Sequence, residues 1–553
     1  MAESYRMNQS ASLGNYQAAV DAALAEVKAD DVIARVWKHD HTVWKPQPTE
    51  ITNRLGWLRI AEAMMENVPR METLATDLQE AGYTHVLLLG MGGSSLAPEL
   101  FSKVFGAQSN GLSLAVLDST DPGAVLSQAG QLDPARAFFV VATKSGGTAE
   151  TLSFFKFFYN RVVDAVGVER AGEHFVAVTD PGSKLVDIAT RYKFRACFLN
   201  DPNIGGRFSA LSYFGLLPAA LVGVDVACLL DRAMAMTCGC EPSVPVVDNP
   251  GACLGAILGE LAKSGRDKVT FAISPAIESF GDWVEQLVAE STGKEGVGIL
   301  PVVREPLGTV GVYSLDRLFV HIRLDGDATH DADLAALEAV GHPVMRFNLH
   351  DVYDLGGQFF LWELATAVAC HRLGINPFDQ PNVESAKVQA RKMIAEYKEK
   401  GTLPDVSPAP LTAEALEGFL ARANSGDYVT LQAYVQPTPQ TDAALAELRL
   451  KLRDRYRLAT TVGYGPRFLH STGQLHKGDG GNGLFIQFTH DSQQDADIPD
   501  EAGRPESAMT FGVLIAAQVL GDRQALLDND RRVIRFNLGR DVVGELKKRC
   551  EAF

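Results

Sequence analysis

Apolar positions along this chain follow two spacings, and the switch between them outlines the fold. From about residue 11 to residue 80 they recur at helical intervals in an Ala/Leu/Glu-rich stretch without a strand-like run. Short apolar runs then begin: HVLLLG (85–90), SLAVLD (113–118), FFVVAT (138–143) and HFVAVTD (174–180), each followed by a helix-like stretch. That alternation predicts an α/β unit with a doubly wound parallel sheet, whose ligands bind at the carboxyl ends of the strands. A second α/β unit follows, with strands expected at VTFAIS (269–274), LFVHIRL (318–324) and VMRFNL (344–349). Its helices are expected at about 252–264, 281–291, 359–373 and 382–400. PDVSPAPLT (404–412) is Pro-rich and marks a linker into a third α/β segment.

The expected organisation is an N-terminal helical segment (1–80), two α/β domains (81–245 and 246–403) and a C-terminal α/β segment (413–553). Parts of the third segment echo the second. LFVHIRL (318–324) is matched by LFIQFTH (484–490), and VMRFNLHD (344–351) by VIRFNLGRD (533–541). The offsets are unequal, so a partial internal duplication needs an insertion. Two unrelated amphipathic strands are the other explanation.

Composition narrows the classes. The chain has 553 residues, 46 % of them hydrophobic, enough for several cored domains. A formal charge of -17 disfavours nucleic acid and anionic membrane as partners. A phosphate site must then be built locally, from backbone N–H groups and a few cations. The uncharged stretch Phe208–Val224 contains Pro218 and is too short to span a bilayer, so a buried core helix is expected there. The N-terminus has no signal-like apolar run, and the seven cysteines suit reduced core thiols, which points to the cytoplasm. No histidine or carboxylate spacing suggests a metal site, and no cofactor is expected.

Two loops carry phosphate chemistry. HVLLLG runs into GMGGSS (90–95), with Gly93 and Ser94 at its centre, just before a helical run. Glycines let backbone approach a ligand, and a helix start offers free N–H groups; a tight turn with an N-cap explains the same residues equally well. FFVVAT enters TKSGGTAET (143–151), where Thr143, Ser145 and Thr148 place three hydroxyls in six residues before a helix. That is more than one cap requires and favours a phosphate monoester, with Lys144 adding charge or being solvated.

These loops, together with GGRFSALS (205–212), AESTGKEGVGILP (289–301) and INPFDQPNVESAK (375–387), resemble the glucose-6-phosphate isomerase family of sugar isomerase (SIS) domains. With the C-terminal segment, the architecture looks like the isomerase portion of transaldolase–isomerase fusions. The resemblance implies two SIS-type domains, reversible conversion of glucose 6-phosphate to fructose 6-phosphate through an enediolate, a sugar phosphate as the bound partner, and a homodimer. Such chemistry needs a base near C1 and C2, a cation for the oxyanion and an acid/base group to open the ring.

Glu290 ends a helical run on which Trp283 and Leu287 share its face, at the edge of an apolar wall. The resemblance implies that it is the base, against the commoner fate of a surface glutamate. Gln286, one turn earlier, is within reach of a substrate. Arg207 follows two glycines and is the candidate oxyanion cation; its bland role is a salt bridge. Lys387 and Gln380 are implied by resemblance alone, as the ring-oxygen lysine and a hydroxyl contact.

One motif is displaced. The family's ring-opening histidine follows the base in an LHSxGQ-like motif, yet none lies between Pro301 and Phe378. FLHSTGQLHKG (468–478) appears instead beyond the linker, making His470 the candidate and His476 its runner-up. The alternatives are a non-catalytic SIS sugar-phosphate sensor and an enzyme that also accepts mannose 6-phosphate.

Overall fold

The computed structural model describes residues 8–109 and 111–551. Three mainly parallel sheets organise it. The first has the order Ser113–Leu117, His85–Leu89, Ala137–Ala142, Phe175–Thr179, Ala196–Leu199. All its pairings are parallel. The apolar runs become central strands because helices cover both faces: every residue of Ala137–Ala142 and Phe175–Thr179 is buried. Strand order reverses between His85–Leu89 and Ala137–Ala142, so the GMGGSS and TKSGGT loops leave the sheet on either side of its switch point.

The second sheet runs Asn8–Ser12, Val344–Leu349, Arg317–Leu324, Lys268–Ile273, Leu300–Val302. Asn8–Ser12 pairs antiparallel with Val344–Leu349 at its edge. This corrects the all-helical N-terminal segment, of which helices Gln17–Ala29, Val32–Trp37, Ile60–Met65 and Val68–Glu80 are the helical part. NQSAS has no apolar run; an edge strand needs only backbone groups in register with Val344–Asn348. Ala196–Leu199 and Leu300–Val302 also went unforeseen, being too short to show as runs. The uncharged stretch yields a helix only over Tyr213–Val222, all of it buried. All seven cysteines are free thiols, but only Cys240, Cys370 and Cys550 are buried; Cys238 is exposed, against the expectation of core thiols throughout.

The third sheet has the order Ala459–Tyr464, Tyr428–Tyr434, Gly483–Thr489, Arg532–Asn537, all parallel. Setting aside the N-terminal edge strand, the second and third sheets share one strand order, in which the second strand of the unit lies outside the first. Their connections match as well. Phe280–Thr292 and Pro439–Tyr456 join first to second strand; Asp331–Ala339 and Phe511–Asp528 lie between third and fourth. The echoed segments are the third and fourth strands of each sheet. Matched order, connections and sequence together favour duplication over coincidence.

The two repeats abut at strands Leu300–Val302 and Ala459–Tyr464, where Ala289, Tyr428, Leu475 and Phe485 form a shared apolar cluster. Helix Phe280–Thr292 packs on segment Gly473–Gly478 of the third unit. In return, Arg449 on helix Pro439–Tyr456 donates to the Val303 carbonyl at 2.8 Å, and Arg453 to that of Pro306 at 2.6 Å. Each repeat thus offers its second-to-third-strand connection to the other's first helix. No helix among the described residues is long and apolar enough to cross a membrane.

Candidate active site

Glu290 sits in the last turn of helix Phe280–Thr292. Trp283 and Leu287 are buried on its face, while its own side chain keeps 13 % exposure. Gln286, one turn earlier, bridges two elements: its Nε2 donates to Glu290 Oε2 at 3.1 Å and to the His470 carbonyl at 2.7 Å. The base candidate and the histidine loop therefore meet through one amide nitrogen, within a single chain.

Arg207 lies within 3.5 Å of Glu290, Nη1 to Oε1. Its other donors fix the guanidinium: Nε to Ser291 Oγ at 2.8 Å, Nη1 to Gln380 Oε1 at 3.0 Å, and Nη2 to the carbonyls of Pro377 and Asp379. Gln380 is otherwise exposed. Lys294 also comes to this corner, with Nζ 2.7 Å from Asp379 Oδ1. Burial, and then the Arg207 charge, lower its pKa.

His470 Nε2 is 3.0 Å from Glu150 Oε1, and that oxygen also accepts from Gln518 at 2.7 Å. Gln518 in turn accepts from Thr120 Oγ1 at 2.7 Å. Burial is the largest influence on Glu150 and pushes its pKa up, but His470 and Lys387 outweigh it and hold it below the ordinary value. A carboxylate accepts only, so Nε2 carries the proton and Nδ1 is the nitrogen left for a ligand. Lys387, on the exposed side of helix Val383–Lys400, takes part through its charge on Glu150.

The loop 467–471 is pinned from outside. Arg467 pairs with Glu99 and with Asp118, the latter at 3.1 Å, and Asp118 also accepts from Ser95 at 3.0 Å. His476 takes no part: it is fully buried, accepts on Nδ1 from Gln432 at 3.3 Å, and burial drives its pKa far down. It is a neutral core group, not a ring-opening candidate.

Both phosphate-type loops close on this cluster. Gly92 has φ +54, and a Cβ there would lie 2.6 Å from the His470 carbonyl oxygen and 2.9 Å from Gln286 Nε2. At Gly93 a Cβ would lie 2.0 Å from the Gly206 carbonyl oxygen. Only glycine lets the three loops meet, and packing of this loop accounts for Gly93. Ser94 is partly exposed. In the second loop Thr143 and Thr148 hydroxyls lie 2.8 Å apart, and Ser145 Oγ accepts from Gly147 N–H at 3.3 Å. Thr148 begins helix Ala149–Val166 without a side-chain cap, leaving the helix start for a ligand. Lys144 is committed elsewhere: its ammonium pairs with Asp180. Among the described residues no group of three or more metal-ligating side chains converges.

Glu150 and Gln518 were missed by the sequence reading. Glu150 lay inside SGGTAET, the very stretch that carried the resemblance; Gln518 had no signal at all.

Fold and site together define an aldose–ketose isomerase on doubly wound sheets. The phosphoglucose isomerase family model matches residues 73–299. The glucose-6-phosphate isomerase of Cyanothece sp. (strain PCC 7425 / ATCC 29141) is 32 % identical over 421 residues, covering 65 % of this chain and 78 % of that protein. That of Parabacteroides distasonis is 27 % identical over 384 residues, 60 % of this chain and 85 % of its own length. Among solved structures, a glucose-6-phosphate isomerase from Chlamydia trachomatis superposes with TM-score 0.56 at 18 % identity, over 73 % of this chain and 89 % of that one. A hypothetical protein from Thermus thermophilus gives TM-score 0.60 at 24 % identity, over 69 % and 98 %. The chain belongs to the phosphoglucose isomerase family.

Proposed function

We propose that this chain interconverts glucose 6-phosphate and fructose 6-phosphate through a cis-enediolate. The observation that carries the reading is the Gln286 bridge, which holds Glu290 and the His470 loop together beside Arg207. In this reading the phosphate rests on Ser145, Thr143, Thr148 and the open start of helix Ala149–Val166. Glu290 takes the proton from C2 and returns it to C1. Arg207, held by four acceptors, stabilises the enediolate oxygens without needing to reorganise. His470, oriented by ionised Glu150, exchanges a proton with the ring oxygen through Nδ1, and Lys387 supports the ring-opened oxygen.

The reading includes a homodimer, as the family resemblance implies, and a cytoplasmic enzyme, as the cysteine usage and the signal-free N-terminal run lead one to expect. Glu290, Arg207, Gln286, His470 and Glu150 already meet within one chain. A coupled assay tests the proposal. Purified protein should convert fructose 6-phosphate to glucose 6-phosphate, with a nicotinamide nucleotide needed only by the coupling dehydrogenase. Binding without turnover would make the chain a sensor instead.

A further inference from the structure

In a doubly wound sheet the place where strand order reverses leaves a crevice at the carboxyl ends. The first sheet puts its phosphate-type loops there. The second sheet closes the corresponding gap: Ser274 Oγ accepts the Leu324 N–H at 2.9 Å. The third sheet leaves it open. Its order reverses between Tyr428–Tyr434 and Gly483–Thr489, and a cleft of about 490 Å³ lies at their ends, lined by Tyr434 and Thr489. That volume suits a small ligand.

The lining is two-faced. Helix Phe511–Asp528 presents Ile515, Val519 and Leu520 as an apolar wall. Facing polar groups include Arg535 from the last strand. The buried Nε of Arg535 has no hydrogen-bond partner, its Nη2 donates to the Val406 carbonyl, and it forms no ion pair among the described residues. Burial, then the Arg523 charge, lower its pKa; Asp405, exposed at the mouth, offsets this only in part. A half-buried guanidinium with a buried unpartnered Nε and no ion pair keeps a donor for an anion. The Pro-rich segment around Pro404 and Pro408 edges the same opening. None of Glu290, His470, Glu150 or Thr148 lines it.

We infer that this cleft is a second binding site, for a small organic anion whose charged head meets Arg535 and whose apolar body lies on Ile515, Val519 and Leu520. Carboxylate and phosphate heads share that chemistry.

Calorimetric titration of the full chain with phenyl phosphate, benzoate, inorganic phosphate and benzyl alcohol tests this. Thr148→Ala weakens the catalytic phosphate site, so titrations in that background report the cleft. Expected there is binding of phenyl phosphate, benzoate or both, the stronger naming the preferred head. Inorganic phosphate and benzyl alcohol, each lacking one half of the ligand, should bind at least tenfold more weakly. Arg535→Gln should weaken the anion at least tenfold. Ala516→Trp, which fills the cleft and leaves Arg535 intact, should abolish binding, with isomerase activity retained in both single variants. No heat with either aromatic anion, or binding unchanged by both cleft substitutions, would overturn the inference.

Discussion

At the scale of single residues the site rests on a few short contacts. Glu290→Gln keeps the Gln286 hydrogen bond but removes basicity, so kcat should fall at least about a hundredfold with much smaller change in KM. Steady-state kinetics beside a direct binding titration separate the two. Glu150→Gln should behave differently. It leaves the proton-transfer base alone and loosens the orientation of His470, so it should slow the cyclic substrate at least about tenfold. Exchange of the C2 proton on an open-chain analogue should persist. Equal loss of both would move His470 from ring opening to the proton transfer itself. Glu150 shows why residues were less legible than elements. A glutamate in the first turn of a helix is ordinarily solvated and helps the helix dipole. Nothing local says that an imidazole from 320 positions away will cover it. Glu290 was legible chiefly through the family resemblance of AESTGKEGVGILP; Trp283 and Leu287, seven and three residues before it, only place it at the edge of a buried face.

Among elements, helix Phe280–Thr292 connects base, apolar wall and histidine loop, and it also carries Glu285. Burial is the main cause that lifts the Glu285 pKa to about 8, Asp282 adds to it, and Arg449, Arg467 and Arg304 pull the other way. The folded state therefore keeps a proton that the unfolded chain releases near the ordinary glutamate value of 4.5. The stability this contributes is complete below about pH 4.5 and is lost as pH rises through about 8. Glu285→Gln should flatten that part of the Tm-against-pH curve between pH 5 and 9. A wild-type minus variant difference constant across the range would refute it. Four strands of the first sheet were legible because each is an apolar run ending in a glycine or hydroxyl loop; Ala196–Leu199, only four residues long, was not. Asn8–Ser12 was not, since an edge strand is defined by its partner's backbone rather than by its own side chains.

Across the whole molecule, the displaced motif now has an address. In the second unit the connection from second to third strand, residues 303–316, carries no histidine; in the third unit the corresponding connection carries His470. The repeats exchange these connections, so the base of one faces the histidine loop of the other. No sequence pattern announces such an exchange: it depends on the abutting strands Leu300–Val302 and Ala459–Tyr464, the first of them only three residues long. A complementation experiment tests the arrangement. Mixed or co-expressed Glu290→Gln and His470→Ala chains should show no more than their separate residual activities, because each chain lacks one member of its only complete site. Recovery above that level would place His470 in a neighbour's site. The same order along the chain matters while the protein is being made. Gln286 and His470 are 184 positions apart. At roughly 5–20 residues per second, a ribosome takes on the order of 10–40 s to pass from one to the other. A nascent chain stalled between Glu290 and His470 already owns both phosphate-type loops and the base, yet lacks the His470 imidazole. A premature stop codon after the second unit therefore leaves the phosphate-type loops without their ring-opening group, so a truncated chain that bound a cyclic sugar phosphate could not turn it over.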